Sequence, residues 1–424
     1  LLAGGASLWR AAERRPRATR GLRARTGRRR SGRGLLGQSA GSAGIRHRST
    51  LTRRSLADDL ALVSEELLNT IDDAALHVNR LGPWLSGGTA PHEAGEEAPE
   101  AAAGSEEAAG AARPRRRRVV ILGTGWAAHA IAKVVDLEAN DVLIVSPRNY
   151  FVFTPMLAAA SVGTVEYRSI LEHIRSANPT LRFYQGACEA IDAERHEITV
   201  RPVAKSGADA PFTIPYDVLV VSVGLRPNAR GVPGVYENCL FLKSIEDART
   251  LRTRVTECFE RADLPTASEQ ERRRLLTFVV VGGGPTGCEL CGELSDFLRN
   301  DLRRFYPRLA PLVRIFLVHR GKTILPSFGE DLQRAASETL IAQGIEVVTC
   351  RQVSSVGPSA ITIKSVKGDE EETTISCGLC VWSAGNRSQD IAESLRQQLP
   401  AQLEAAGASE SNGPVLVDEW LRAV

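Results

Sequence analysis

The sequence predicts an α/β fold of two Rossmann-like domains, and three observations carry the prediction. From Val119 onward, short apolar runs alternate with helical stretches, the pattern of helices layered on a parallel sheet. A glycine-rich turn at Gly123 follows one such run, and a second at Gly282 follows another, 159 residues later. Each turn stands between an apolar run and a helical stretch, so the chain repeats one strand–turn–helix unit.

The 424 residues leave room for two or three domains with cores of their own. The formal charge of +3 hides a segregation. Leu1 to Arg54 carries fifteen Arg, no Lys, no Asp and only Glu13, a balance of +14 that leaves about −11 for the remainder. A folded part this acidic offers no basic face for nucleic acid. Residues 1–54 have the composition of an organelle transit peptide, mitochondrial rather than chloroplast, with a basic disordered tail as the plainer alternative. Position 1 is not Met, so the sequence reads as a fragment at that end. Residues 55–117 begin with a helical spacing of Leu56, Leu60, Leu62, Leu67, Leu68 and Ile71, then pass into a Gly/Ala/Glu/Pro linker with little to bury. No run approaches eighteen apolar residues, which excludes a spanning helix and leaves peripheral membrane attachment open. Eight Cys fit a reducing compartment better than a disulfide framework.

The first glycine turn is Gly123-Thr124-Gly125-Trp126-Ala127-Ala128, after the apolar run Val119 to Leu122. Gly123 allows the tight turn, Gly125 lets backbone N–H groups approach a pyrophosphate, and Ala128 is small enough for close helix–sheet packing. The next strand, Asp141 to Val145, ends in Ser146-Pro147-Arg148, where an acid usually holds the ribose. Ser146 can bond a ribose hydroxyl, and Arg148 can cover the adenine or a phosphate. The second turn, Gly282-Gly283-Gly284-Pro285-Thr286-Gly287, opens a helical stretch from Cys288 to about Phe305 and precedes the strand Val313 to Val318. Two such fingerprints predict two dinucleotide-binding domains and two bound dinucleotides. Redox chemistry is the reason to bring them together, with FAD at the first site and NADH or NADPH at the second.

Longer runs carry a family resemblance. Gly123 to Trp126, the stretch Ser146-Pro147-Arg148-Asn149-Tyr150-Phe151-Val152-Phe153-Thr154-Pro155, and Gly163-Thr164-Val165-Glu166 resemble the type II NADH dehydrogenases. So do Gly282 to Glu289 with Glu293 to Phe297, Val381 to Gly385, and Val417 to Arg422. The resemblance spans about residues 117–424. It implies a two-dinucleotide-binding flavoprotein that acts as a single-polypeptide, rotenone-insensitive NAD(P)H:quinone oxidoreductase. Such enzymes hold FAD non-covalently, pump no protons, and sit peripherally on the inner mitochondrial membrane of the respiratory chain, with ubiquinone as the expected acceptor. The resemblance sets Thr154 and Pro155 beside the isoalloxazine and points Glu289 toward the flavin–nicotinamide junction. It matches Ser222-Val223-Gly224 to the turn on the FAD side, and Ser383-Ala384-Gly385-Asn386 to its counterpart on the nicotinamide side. Glu289 reads equally as an acid favoured by the helix dipole. A homodimer is left open.

Departures from the family pattern qualify this reading. Where the family often has an acid after the second βαβ strand, His319-Arg320 stands here, which removes repulsion of a 2′-phosphate and implies that NADPH is accepted. The Gly-Asp segment, quinone-site helix and C-terminal membrane-binding region of family members lie beyond Val424, so membrane association is expected of a region absent here. Cys288/Cys291 and Cys377/Cys380 have the spacing of a zinc site or redox dithiol, but their placement favours small buried thiols, and no metal is expected. Rival readings are another NAD(P)H-dependent flavoprotein reductase with a soluble acceptor, or a truncated non-catalytic paralogue. The expected organisation is a first FAD-binding part at 118–245, an inserted NAD(P)H-binding domain at 246–376, and a second FAD-binding part at 377–424.

Overall fold

The structure, a computed structural model, describes residues 115–203, 210–368, 371–405 and 414–423. The basic segment 1–54, the expected helix and the linker lie outside the described residues.

Strands β1 (Arg117–Leu122) and β2 (Asn140–Ser146) run parallel and are joined by helix α1 (Trp126–Val134). Val119 to Leu122 is apolar without alternation because it is buried on both faces, as a central parallel strand must be. An excursion follows, in which β3 (Tyr150–Val152) and β4 (Leu171–His173) pair antiparallel on either side of helix α2 (Leu157–Val162). Next, β5 (Arg182–Asp192) returns beside β2, and β6 (Glu197–Pro202) and β7 (Phe212–Pro215) extend it as an antiparallel meander. Finally β8 (Val218–Val221) closes the other side of β1, for a sheet order β7-β6-β5-β2-β1-β8.

The chain leaves this sheet through β9 (Leu225–Pro227) and enters helix α3 (Ile245–Asp263). A capping box starts α3: the Ser244 hydroxyl accepts the Asp247 N–H at 3.1 Å, and the Asp247 carboxylate accepts the Ser244 N–H at 2.9 Å. Its buried stripe of Ile245, Ala248, Leu251, Val255 and Phe259 keeps helical spacing. Helix α4 (Glu269–Leu275) leads into β10 (Thr277–Val281), followed by α5 (Pro285–Asp296), β11 (Arg314–Val318), α6 (Glu330–Ala342) and β12 (Ile345–Val348). A meander of β13 (Arg351–Val356), β14 (Ala360–Ser365) and β15 (Thr373–Ser376) precedes β16 (Leu379–Trp382), which completes a parallel sheet in the order β12-β11-β10-β16. The second sheet therefore reaches Trp382, past the boundary expected at Ser376. Parallel pairing with β10 recruits an apolar strand that follows the antiparallel meander. Return to the first domain comes with β17 (Asn386–Ser388), paired with β9, and with helix α7 (Asp390–Gln398), whose Gln398 bonds Ile191 and Ala193 at the end of β5.

The helical stretch expected from Cys288 to Phe305 changes character part-way. At Phe297 the α-helix widens into a π-helical segment to Leu302, followed by a single α turn. Leu290, Leu294, Leu298 and Leu302 stay buried, while Phe297 is only partly so. Both domains share one core. Every residue of α2 is buried, and the helix packs against α3 and α5, joining Leu157 and Val162 to Leu251, Leu290 and Leu294. Its sequence, Leu-Ala-Ala-Ala-Ser-Val, presents small side chains that permit this close approach. Among the described residues no helix is long and apolar enough to cross a membrane.

Candidate functional site

The two glycine elbows are built alike. At the first, Gly123 takes φ +109° and donates its N–H to Val145 O at 2.9 Å. At the second, Gly282 takes φ +114° and donates to Val318 O at 2.8 Å. These positive φ values strain any residue with a Cβ. A side chain would also strike the neighbouring crossover turn: the Ser222 backbone carbonyl beside Gly123, and Ser383 and Ala384 beside Gly282. The serines repeat each other as well. Ser222 Oγ donates to Leu122 O at 2.7 Å and Ser383 Oγ to Val281 O at 3.0 Å, each locking a crossover strand to the strand that leads into its elbow. Gly224, with φ +70°, and Gly385, with φ +126°, end these turns.

In front of each helix there is open space. Beyond their own chain neighbours, nothing lies within 4 Å of a Cβ placed on Gly125 or Gly284, the residues that cap α1 and α5. Trp126, Ala127, Pro285 and Thr286 in the first turns are exposed, and neither first turn carries an acid. A helix N-terminus with free N–H groups and no carboxylate to repel an anion suits a pyrophosphate. The elbows differ at the third small residue. Ala128 is fully buried and fits with its methyl group, whereas a Cβ on Gly287 would collide with Gly282 O and come within 2.8 Å of Ser383 Oγ.

Around the first elbow, Thr124 is buried, and its hydroxyl bonds Tyr150 O at 2.9 Å and faces Ser146 Oγ at 3.3 Å. Ser146 is also buried and accepts the Arg148 N–H at 3.2 Å, so its hydroxyl shapes the turn after β2. Pro147 and Arg148 are exposed on the rim, and the Arg148 charge acts on Tyr150 and Glu246. The Trp126 indole N–H donates to Thr154 Oγ1 at 3.0 Å, which brings the Thr154-Pro155 turn to the elbow. A stack that the sequence reading did not include holds Trp126 in place. Phe151 meets it edge-on at 4.9 Å and stacks on His129 at 4.4 Å, and His129 Nε2 lies 3.0 Å from Glu172. Burial lowers the His129 pKa.

At the second elbow, His319 turns inward. Its Nδ1 accepts the Gly283 N–H at 3.0 Å, and burial lowers its pKa, so it is a neutral part of the glycine loop. Arg320 is exposed and has no ion-pair partner within 4 Å among the described residues. Arg230, also absent from the sequence reading, takes φ +53°, donates to Ala384 O at 2.7 Å and lies over Gly385. Sequence gave no cue to it, because the contact depends on β9 meeting β17.

The elbows are joined through α2. Thr154, just before it, accepts from Trp126, and Thr164, just after its Gly163 cap, donates its hydroxyl to Glu293 on α5 at 2.9 Å. Glu289, one turn earlier on α5, remains exposed yet sits among enough protein atoms that burial, then the Glu293 charge, pushes it up to about 7. Burial of the surrounding helix start disfavours its charged form although the side chain still meets solvent. All eight cysteines are free. Burial raises the thiols of Cys288, Cys291 and Cys377, as it does that of Cys380, where the Cys239 thiol at 3.4 Å is the larger cause. No metal-binding cluster occurs among the described residues. A separate cavity of about 700 Å³ behind the second sheet is lined by Phe316, Ile363 and several arginines. Of these, Arg273, Arg274 and Arg314 already face Glu269, Glu271 and Glu346.

Residues 117–424 match the family model for pyridine nucleotide-disulphide oxidoreductases. The chain belongs to that family. An external alternative NAD(P)H-ubiquinone oxidoreductase B1, mitochondrial, of Arabidopsis thaliana is 40% identical over 310 residues, 72% of this chain and 53% of the relative. An external alternative NADH-ubiquinone oxidoreductase, mitochondrial, of Yarrowia lipolytica is 37% identical over 314 residues, 72% of this chain and 52% of the relative. Among solved structures, the Plasmodium falciparum NDH2 in complex with NADH matches with a TM-score of 0.65 at 28% identity, over 68% of this chain and 59% of that one. The resemblance to type II NADH dehydrogenases and the two-dinucleotide-binding flavoprotein fold are thus borne out. The chain spans about half the length of the curated relatives it matches.

Proposed function

We propose that this chain is the nucleotide-binding part of a mitochondrial NAD(P)H:quinone oxidoreductase that binds FAD at the first elbow and NADH or NADPH at the second. The observation that carries the reading is the bridge through α2, which ties Trp126 at one elbow to Glu293 on the helix that the other opens. Bound FAD supplies the two-electron carrier between the nicotinamide and the acceptor. The chain's residues bind and orient. N–H groups at Gly125 and Gly284 would hold the two pyrophosphates, Ser222 and Ser383 fix the crossover turns, and Thr154 and Pro155 would edge the flavin ring. Glu289 stands at the junction as a carboxyl that exchanges a proton near neutral pH. Because His319 is engaged by Gly283, acceptance of a 2′-phosphate falls to Arg320. The rest of the complete protein supplies the quinone site and the peripheral contact with the inner mitochondrial membrane, and a homodimer is compatible with this arrangement.

The full-length protein should purify yellow, bleach on addition of NAD(P)H, and recover its colour when a ubiquinone analogue is added. A colourless preparation overturns the reading, and recovery only with a soluble protein acceptor replaces quinone by that acceptor.

A further inference from the structure

A hydrogen bond between positions 129 residues apart in sequence joins the two domains at the cleft: the Thr164 hydroxyl donates to Glu293 at 2.9 Å. Glu293 is buried, with 9% of its surface accessible. A carboxyl buried there is costly unless it is hydrogen-bonded, and Thr164 supplies a bond to it. Glu293 lies four residues after Glu289, on the same face of α5, where side chains one turn apart are neighbours. We propose that Glu293 is a positioning residue for the reaction cleft: it ties α5 to the flavin-side loop through Thr164 and sets when Glu289 holds a proton. The proposal rests on the reading of the cleft as the flavin–nicotinamide junction.

The electrostatic surroundings leave Glu293 as the charged neighbour that matters to Glu289. Burial raises both carboxyls; among the described residues Glu293 is the charge that acts on Glu289, while the Thr164 hydroxyl lowers Glu293 and Asp296 adds to its upward push. The thiols of Cys288 and Cys291 on the same helix are held protonated. The α2 segment contributes no charged side chain, and Arg252 lies over its Gly163 cap. Among the described residues, α6 and the strands beneath α5 contribute no charge to either carboxyl. Like charges about 6 Å apart, at an effective dielectric between that of a protein surface and water, separate the two protonation steps by roughly one pH unit.

The test uses the full-length holoprotein and infrared titration of its protonated-carboxyl band, with nucleotide-dependent flavin bleaching recorded in parallel. Wild type should show a carboxyl titrating near pH 7 that Glu289→Gln abolishes. Glu293→Gln keeps an acceptor for Thr164 and removes the charge, and should move that titration down by about one pH unit. Thr164→Val removes the donor, leaves Glu293 more readily protonated, and should shift Glu289 in the same direction by less. It stands in if Glu293→Gln does not fold. An unchanged carboxyl titration in a folded variant overturns the proposal even when bleaching is normal. Loss of bleaching in wild type overturns the junction reading instead, and leaves the carboxyl pair measurable.

Discussion

The third small residue of each elbow offers a sharp comparison, because a methyl group there should matter at one and not at the other. In Gly287→Ala the new methyl would overlap Gly282 O and approach Ser383 Oγ to 2.8 Å. Gly282 cannot retreat: its φ is +114°, its N–H is bound to Val318, and the Ser383 turn stands behind it. Restoring an ordinary carbon–oxygen approach of ~3.3 Å lifts the start of α5 from β10 by on the order of 1 Å. Overpacking of this kind costs about 1–3 kcal/mol of stability. A nucleotide displaced by ~1 Å loses on the order of 10²-fold in rate. At the first elbow Ala128 already carries its methyl group, fully buried. Ala128→Gly should therefore cost only about 1 kcal/mol of helix propensity and leave FAD bound. Thermal unfolding and NAD(P)H-dependent flavin bleaching of the full-length protein measure both effects. Wild-type Tm and wild-type nucleotide affinity in Gly287→Ala would refute the argument that this helix start has no room for a Cβ.

Further outcomes follow from individual contacts. Trp126→Phe keeps the ring contacts but deletes the donor to Thr154, and should cost about 1 kcal/mol and shift the bound-flavin absorption; an unaltered spectrum speaks against Thr154 lying beside the flavin. The Glu289 carboxyl, at about 7 against an ordinary 4.5, holds its proton more tightly in the folded chain, so its contribution to stability is full below pH 4.5 and lost as pH rises through 7. Glu289→Gln should flatten that part of the Tm–pH curve, and a curve parallel to wild type would deny the shift. Arg320→Ala should weaken NADPH binding about tenfold, as expected for a charge-assisted hydrogen bond, while sparing NADH; equal losses for both nucleotides would remove Arg320 from 2′-phosphate recognition. Thiol labelling of the native protein should reach exposed Cys350 first and the buried Cys288, Cys291, Cys377 and Cys380 only on unfolding. Loss of NAD(P)H oxidation on mild alkylation, with Cys350 replaced, would reopen a role for the Cys pairs.

The sequence by itself determined the two elbows, because a strand–glycine–helix turn is a local object. Gly123, Gly125, Gly282 and Gly284 follow from backbone geometry within a few residues, and the apolar strands before them from burial on both faces. It also determined that His319-Arg320 replaces an acid. Contacts between distant segments were decided only by the tertiary structure. The sheet to which Leu379–Trp382 belongs depends on which strand β16 pairs with, and pairing partners are not local. Ser146 has the composition of a ribose ligand but is used by the turn that Thr124 and Arg148 build around it. His319 is likewise claimed by a backbone N–H. The bridge from Trp126 through α2 to Glu293 exists because six small or apolar residues are buried between α3 and α5. Packing across that shared core, which no periodicity along the chain encodes, sets the two elbows against a common wall.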